Sequence, residues 1–318
     1  MADNKNASFR TSIGGQALIE GILMRGPEKQ AIVVRSPEGL VIREEELKLV
    51  KDRYPILGLP LIRGSVTFLD SMFKGVKALM FSADYFPEDE ATEPSKFDKW
   101  LEEKLGNEKM EKVVIAVAVV LSVLFSIGLF MLIPTSVAGL VELFTDSVLV
   151  RNLVDAVLRI AIFMTYMGLV SRMKDIRRVF SYHGAEHKSI HCYEAGLELT
   201  VENVRAQSKH HPRCGTSFLM VVIIIAILVN TVVFALFPVP NLLVRILVQL
   251  MLLPVVVGIA YEFNRYVGAH DNPVTNFLAK PGMWMQNFTT YEPDDSMIEV
   301  AIEALKRVIP EEKGKDQW

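Results

Sequence analysis

Histidines and cysteines are concentrated in one short stretch of this sequence. Five of the chain's 6 histidines lie between His183 and His211, and both cysteines, Cys192 and Cys214, accompany them. Imidazole nitrogens and thiolate sulfurs are ligands that zinc prefers, and a site needs three or four of them. The stretch therefore predicts a divalent-metal site, with zinc as the expected ion, whose ligands are drawn from His183, His187, His191, His211 and Cys214.

Helical geometry limits which histidines can share one ion. His183, His187 and His191 recur every four residues, which places them on one face of a predicted helix over residues 175–194. Residues four apart rise about 6 Å along a helix axis, so His183 and His191 are about 12 Å apart. One ion can therefore take two of the three histidines, and the remaining ligands must come from elsewhere, from among His210, His211, Cys214, Glu262 and His270.

The order His183-Gly-Ala-Glu186-His187 also matches the inverted zinc-peptidase pattern H-x-x-E-H. In that pattern two histidines bind the metal, and the glutamate is the general base for a water molecule. Glu186 is therefore the candidate catalytic residue of a metal-dependent hydrolase. The alternative is a set of interfacial histidines that bond to one another and to backbone carbonyls, or that contact lipid phosphates.

Two further stretches carry polar groups in unusual surroundings. Residues 14–27 place Glu20 and Arg25 among glycines and apolar residues, where an unpaired charge is costly, so the two should pair or meet a ligand. The glycines favour a tight turn over a phosphate-binding loop, since no phosphate-binding pattern is complete. A second stretch follows the last apolar run and adds the candidate site residues Glu262, His270 and Asp271.

Four apolar runs predict how these residues are held. The chain is 51% hydrophobic with a mean hydropathy of +0.29, both high for a water-soluble enzyme. A 21-residue helix rises about 31 Å, which matches a hydrocarbon core of roughly 30 Å. We therefore expect a mainly α, integral membrane protein with four transmembrane helices, over residues 113–133, 149–170, 218–237 and 242–261.

Basic residues predict the orientation of these helices. Lysines and arginines are frequent in residues 96–112 and 171–217 and nearly absent from the other two connections, and such residues collect on the cytoplasmic side. The His/Cys-rich segment 171–217 and both termini should therefore be cytoplasmic, in a multi-pass protein of the plasma membrane. That reducing compartment disfavours a disulfide between Cys192 and Cys214. With 34 Lys and Arg against 37 Asp and Glu, the charge balance predicts no nucleic-acid partner.

The cytoplasmic surface should consist of three regions. We expect residues 1–112 to hold an N-terminal β-hairpin over 31–43, an amphipathic helix over 60–84 and a charged linker. Residues 113–261 form the four-helix membrane region with segment 171–217. The tail, 262–318, should carry a helix over 296–309 that Asp294 and Asp295 can cap, and it should fray from Pro310 onward. The helix over 60–84 should lie in the bilayer interface or pack under the membrane spans.

Four long motifs resemble a known family. They read GGQALIEGILMRGP at 14–27, YHGAEHKSIHCYE at 182–194, HPRCGTSF at 211–218 and PGMWMQNFTT at 281–290. With these motifs, and from about residue 13 to 308, the chain resembles the YqhQ family of bacterial membrane proteins, also known as a domain of unknown function. The resemblance implies a predicted metal-dependent enzyme, and it implies no particular substrate or catalytic residue.

Three functions fit these patterns. The leading hypothesis is a metal-dependent hydrolase acting on a lipid or on another membrane-proximal substrate. The alternative is a non-catalytic membrane scaffold or assembly factor that binds lipid head groups or a protein partner. A third, transport, depends on the polar residues within the spans and would require a homo-oligomer to enclose a path, because four spans show no broken-helix repeat. Those residues are Asp155, Arg159, Asn230 and Gln249.

Overall fold

The computed structural model describes residues 9–47, 54–86, 107–239, 241–270, 272–312 and 314–318. Most of the predicted charged linker and Asp271 lie outside these residues. The described chain falls into two compact units. The first comprises Met1–Phe86, Tyr166–Val229 and Met251–Trp318, and the second comprises Pro87–Thr165 and Asn230–Leu250.

The N-terminal sheet is larger than the predicted hairpin. Four antiparallel strands lie in chain order: β1 (Gly14–Leu18), β2 (Gly21–Arg25), β3 (Lys29–Ser36) and β4 (Gly39–Glu46). The predicted hairpin over 31–43 corresponds to β3 and β4. Residues 14–27, which we expected to form a tight turn, instead form a second hairpin in which Gly14 pairs with Arg25.

The helices, in chain order, are α1 (Ile62–Ala83), α2 (Asn107–Ile127), α3 (Ile133–Gly139), α4 (Val148–Val170), α5 (Lys174–Glu194), α6 (Val201–Arg205), α7 (Gly215–Leu236), α8 (Leu242–Ala269), α9 (Pro273–Thr289) and α10 (Asp295–Lys306). A π-helical segment, Gly128–Leu132, joins α2 to α3. Short 3-10 helices lie at Pro55–Gly58 and Leu140–Leu143.

Within the described residues, four helical segments are long and apolar enough to cross a membrane, as the sequence predicts. They are Val113–Leu143, Val148–Val170, Gly215–Leu236 and Leu242–Ala269. The first extends beyond the predicted 113–133 because helix continues through the π-helical segment into α3. The chain is therefore mainly helical, with four candidate membrane-spanning helices and an N-terminal antiparallel sheet.

Helices α5 and α10 pack against one face of the sheet. Because alternate side chains of a strand point to opposite faces, Ile22 and Met24 of β2 enter a core with Tyr182 of α5 and Ile298 of α10. The other face, with Leu23, packs against α1 through a smaller core that contains Ala78. Strand β2 is buried on both faces, so its sequence reads as a continuous apolar run.

As predicted, residues close in sequence define the C-terminal end of α5 and the N-terminal end of α10. Helix α5 ends in a Schellman motif: Gly196 has φ +67°, and the N–H of Leu197 donates to the carbonyl of Cys192 at 3.1 Å. The side chain of Asp294 caps α10 by accepting from Met297 N at 3.0 Å.

The prediction that the tail frays from Pro310 was wrong. Thr11 forms an isolated β-bridge with Gln317, and Asp316 is only 1% exposed. The Asp316 carboxylate accepts hydrogen bonds from Thr11 Oγ1 at 2.6 Å and from the Tyr193 hydroxyl at 3.1 Å. Polar contacts with residues far away in the chain therefore order this segment.

The second unit holds a polar network within its apolar helices. Arg159 donates to Asp155 Oδ2 at 3.0 Å, to Thr135 Oγ1 at 3.0 Å and to Gln249 Oε1 at 3.2 Å. Thr135 also donates to Asp155 Oδ1 at 3.3 Å. The predicted ion pair between Asp155 and Arg159 is therefore present, and Thr135 and Gln249 add hydrogen bonds to it.

Candidate metal centre

Helix α5 presents two histidines of the predicted site on one buried face. His183 and His187 are four residues apart, and their ring centroids lie 4.4 Å from each other. Cys214, which immediately precedes α7, is buried beside them, with its Sγ 3.1 Å from His183 Nε2. One ligand atom from each of these three residues lies within 4.8 Å of the other two. We call this group the centre.

Backbone carbonyls fix the orientation of both rings. His183 Nδ1–H donates to the carbonyl of Thr289 at 2.7 Å, and His187 Nδ1–H donates to that of Lys209 at 2.6 Å. These bonds leave each Nε2 as the nitrogen available to an ion. Metal-ligating histidines usually donate their other ring N–H in the same way, to a carbonyl or carboxylate. His187 Nε2 is buried and has no hydrogen-bond partner within the described chain.

The charges of the centre suit a thiolate ligand. Burial alone would raise the pKa of Cys214, but the positive charges of His183 and His187 lower it well below its usual value. Burial alone would lower the pKa of His183, but the Cys214 thiolate and its hydrogen bond raise it to about 9. The thiolate is the form of cysteine that binds metals, so the centre favours that ligand, whereas an ion would have to displace the proton on His183 Nε2.

Glu186 lies next to the centre and is held by the sheet. Its Oε1 accepts a hydrogen bond from Gly15 N of β1 at 2.9 Å, whereas its Oε2 is buried and meets no hydrogen-bond partner in the part of the chain that is described. Burial raises the pKa of Glu186, and the positive charge of His183 partly opposes that shift. Glu186 thus offers one unengaged carboxylate oxygen beside the metal-ligating atoms.

Gly15 allows this contact because it has no side chain. A Cβ at this position would lie 2.6 Å from the carbonyl oxygen of Leu23 and 3.1 Å from Cδ of Glu186. The first distance is too short for a real Cβ atom and is to backbone, whereas the second is tight enough that the Glu186 carboxyl group would have to shift. Sequence reasoning missed this role of Gly15, although the glycine pair in a segment of otherwise larger residues was a signal.

His191 and His211 belong to a second group, together with Glu194. Their rings lie 4.6 Å apart, and Glu194 Oε2 lies 3.5 Å from His211 Nε2. Glu194 also accepts from Thr11 N at 2.9 Å and forms an ion pair with Arg213. Burial lowers the pKa of His211 to about 4, so this ring is neutral near pH 7.

The separation of the two groups follows the predicted geometry of α5. Two of its three histidines converge on one point, and the third, one turn further along, joins a different set of groups. Glu194 was absent from our predicted ligands, although its position three residues after His191 places it on the same helix face. Arg213 was also missed as a partner of this group.

A cavity of about 310 Å³ adjoins both groups. His187 and Cys214 line it from the centre and His211 lines it from the second group, together with Glu186 and Arg213. Arg25, a candidate from the first motif, lines it as well. The cavity is therefore lined by two of the three candidate ligands, by the candidate base and by two arginines.

Glu20 and Arg25 do not pair with each other. Glu20 forms an ion pair with Arg178 and accepts from the Tyr182 hydroxyl at 3.1 Å, away from the centre. Arg25 donates to Ser71 Oγ at 3.0 Å. Each charge of this motif therefore lies beside a group of opposite charge, Arg178 for Glu20 and Asp70 for Arg25.

The candidates after the last span also lie outside the centre. Glu262 binds Arg63 of α1, with Arg63 Nε donating to Glu262 Oε1 at 2.6 Å. His270 is exposed, and its Nδ1–H donates to the carbonyl of Tyr266 at 2.9 Å. Asp271 lies outside the described residues. The structure thus brings neither Glu262 nor His270 to the centre.

Comparison with known proteins identifies relatives but no solved fold. Residues 59–311 match the profile of a family described as a protein of unknown function, DUF1385. The chain is 34% identical over 313 residues to the uncharacterised protein YqhQ of Bacillus subtilis (strain 168). That match covers 96% of this chain and 94% of the Bacillus protein. No solved structure matches the chain.

Proposed function

The chain belongs to the DUF1385 family, and from the geometry of its centre we propose that it is a metal-dependent hydrolase at the cytoplasmic face of the plasma membrane. The convergence of His183, His187 and Cys214, all buried, carries this proposal. A thiolate and two imidazoles form a donor set that suits zinc. Three protein ligands also leave a position for water or substrate, which is typical of catalytic zinc sites.

The second group is a weaker candidate for the ion because it already contains a cation. Arg213 forms an ion pair with Glu194, so its positive charge would oppose a cation bound to that carboxylate. In the centre, by contrast, the thiolate of Cys214 has only histidines to balance it, and His187 Nε2 lacks a partner within the described ranges. We therefore assign the ion to the centre. We propose that His191 and His211 have a structural role and stabilise the wall of the cavity.

Glu186 has the properties of a general base in this arrangement. A divalent ion in the centre would polarise the substrate or a water molecule as a Lewis acid. Glu186 Oε2 is unengaged and faces no competing donor in the described structure, so it can take a proton from an attacking water. Gly15 fixes the other oxygen, so the carboxylate keeps a single orientation.

The position of α1 supports a membrane-proximal reaction. Ser65 Oγ donates to the carbonyl of Pro254 at 2.7 Å, and Gly64 lies so close to Gly258 and Tyr261 that a side chain would not fit. Pro254 lies twelve residues after the start of α8, so it is about 18 Å along a helix that can cross a core of roughly 30 Å. The N-terminal end of α1 would therefore enter the cytoplasmic leaflet.

The outward face of α1 is apolar, as expected for contact with lipid. Its buried residues are small, namely Gly64, Gly75, Ala78 and Ser82. Its large apolar side chains are exposed, among them Leu69, Met72, Phe73, Val76 and Met80. We propose that these side chains contact acyl chains, which would hold the centre near the membrane surface.

The same apolar face favours a second candidate function. A non-catalytic scaffold or assembly factor could use α1 to bind lipid or a protein partner while the histidines serve structure alone. Under that function, replacing Glu186 would leave the biological role intact, whereas changing the exposed face of α1 would abolish it.

Metal content tests the primary proposal directly. The full chain, purified in detergent and loaded with zinc, should hold about one equivalent, as expected for a single three-ligand site. His187→Ala and Cys214→Ser should lower this to about a tenth or less, because each removes a ligand. His270→Ala is the matched control, since it removes an exposed imidazole outside the centre. Equal metal in all four proteins would overturn the proposal.

A further inference from the structure

We infer that the cavity beside the centre binds the phosphate group of a phosphate ester, which would be the substrate. This inference rests on the proposed function and names its substrate class. The carrying observation is that Arg25 and Arg213 line the same cavity of about 310 Å³ as His187, Cys214 and Glu186.

Arg213 is built into the cavity wall. Its side chain is only 6% exposed, it forms an ion pair with Glu194, and its guanidinium lies 5.8 Å from the centroid of the Trp318 ring. These contacts hold the guanidinium in place before any ligand arrives. A preorganised guanidinium binds phosphate with two parallel N–H donors, which an ammonium cannot supply.

Arg25 has donor capacity that its protein partners do not use. Its Nη1 and Nε donate to Ser71 and Gln30, but its buried Nη2 forms no hydrogen bond within the described chain and lies 3.8 Å from Asp70. A buried cationic nitrogen without a hydrogen bond is costly. Because Arg25 lines the cavity, an oxyanion bound there would bring a further acceptor close to this guanidinium.

The charges of the cavity favour an anion. Its lining contains two arginines, Arg25 and Arg213, against the Glu186 carboxylate and the Cys214 thiolate, and that thiolate would be a ligand of the ion. A divalent ion in the centre would add further positive charge. Guanidinium groups and a metal ion together form the usual clamp on a phosphoryl group during transfer. The volume lies at the lower end of the roughly 300–1,000 Å³ of small-molecule sites.

A second cavity leads from this site to the end of α8. It measures about 550 Å³ and shares Ser12, Arg213 and Trp318 with the first cavity. Arg265 and Tyr261 of α8 line its other side. Because α8 is one of the four helices that can cross a membrane, the alcohol part of the ester would lie beside the membrane surface.

The reaction follows from these positions. A water oxygen forms a bond to phosphorus while the bond from phosphorus to the ester oxygen breaks. The proton that leaves the water passes to Glu186 and then to the departing ester oxygen. The products are the free alcohol and the phosphate, and no oxidant or further reactant is required.

Phosphate binding by the zinc-loaded full chain in dodecyl maltoside tests the inference. Inorganic phosphate should bind to the parent protein, and Arg25→Gln should weaken binding by about tenfold or more, the loss expected from removing a charged donor. Arg25→Lys should recover part of it. Arg172→Gln, which removes an exposed arginine outside both cavities, should leave binding unchanged. Equal binding by the parent, Arg25→Gln and Arg172→Gln would overturn the inference, as would no binding by the parent.

Binding measurements with two further ligands distinguish a soluble phosphate ester from a lipid. Glycerol phosphate represents soluble esters, and phosphatidic acid in the same micelles represents lipids. If the substrate is a lipid, Arg265→Gln should weaken binding of phosphatidic acid and not of glycerol phosphate. Zinc content measured on each sample separates two failures. A protein without zinc contradicts the proposed function, whereas a protein with zinc that binds no phosphate contradicts the substrate class alone.

Discussion

Glu186 and Gly15 are 171 residues apart in the chain, yet one oxygen of the Glu186 carboxylate accepts a hydrogen bond from the Gly15 amide at 2.9 Å. The other oxygen is buried with no hydrogen-bond partner among the described residues. A structural acid would be expected to engage both oxygens, because an unsatisfied buried acceptor costs about 1–3 kcal/mol. The contact thus positions Glu186 while leaving it able to accept a proton.

Replacing Glu186 with glutamine separates chemistry from metal binding. Glu186→Gln keeps the shape of the side chain and the acceptor for Gly15, so the free energy of unfolding should fall by less than about 3 kcal/mol. Zinc content should stay at the parent level, because Glu186 is not among the three ligands. Complementation of a deletion strain should nevertheless be lost, since glutamine cannot take a proton.

The matched control for this variant is Glu202→Gln, which changes an exposed acid of α6. It should complement normally and retain zinc. Full complementation by Glu186→Gln, with zinc retained, would favour the scaffold over the hydrolase.

Burial of His211 predicts acid sensitivity. Its pKa falls from 6.5 to about 4 in the folded protein, so the unfolded chain takes up a proton in this window that the folded protein refuses. The contribution to stability is therefore complete above pH 6.5 and disappears as the pH falls to 4. By linkage it amounts to about 3 kcal/mol.

The midpoint of thermal unfolding, measured from pH 7 to pH 4, checks this prediction. His211→Gln should have a lower midpoint at pH 7 and a flatter decline toward pH 4 than the parent protein. His270→Gln replaces an exposed histidine and should follow the parent curve. Parallel curves for the parent and His211→Gln would show that this histidine does not govern the acid response.

Some elements could be predicted from sequence because their signals are local. Gly196 ends α5 through a left-handed residue, and Asp294 caps α10 within three residues of its own position. The four apolar runs are likewise continuous in sequence. His183 and His187 share a face by helix periodicity alone, so two of the three ligands of the candidate centre could also be predicted from local sequence.

The remaining elements depend on contacts between distant residues. Strand β2 is buried on both faces, which removes the alternation that normally identifies a strand, and Glu20 forms its turn with a positive φ of 48° that its residue type does not favour. The order of the C-terminal segment depends on Thr11, at the opposite end of the chain. Contacts between residues so far apart in the chain cannot be predicted from the composition of either segment.

Asp316 should be important for stability although it lies near the end of the chain. Asp316→Ala removes the acceptor for the hydroxyls of Thr11 and Tyr193 and leaves both groups without it. We expect the free energy of unfolding to fall by about 2–4 kcal/mol, since each unsatisfied group costs about 1–3 kcal/mol. Chemical denaturation measures the loss. Glu311→Ala, at an exposed position of the same segment, should change it by less than about 0.5 kcal/mol.

Lipid contact by α1 can be measured with a fluorescent reporter. Phe73 is 70% exposed on the apolar face, so Phe73→Trp in bilayer nanodiscs should be quenched by lipids that carry bromine on their acyl chains. Leu197→Trp places the same reporter at an exposed leucine after α5 and should be quenched much less. Subtracting the spectrum of the parent protein removes its 3 native tryptophans. Equal quenching at positions 73 and 197 would contradict the proposed location of α1.

The polar network of the second unit predicts an asymmetry between single and double variants. Asp155→Leu removes the carboxylate that accepts from Arg159 and leaves that guanidinium uncompensated among apolar helices. Breaking a buried pair in this way typically costs about 3–5 kcal/mol, whereas replacing both partners with apolar residues is often neutral. Asp155→Leu should therefore sharply lower the yield of folded protein, and the double variant Asp155→Leu with Arg159→Leu should recover most of it. The recovered double variant should still complement a deletion strain, because the network supports structure. Loss of complementation by a well-folded double variant would instead favour a role in transport.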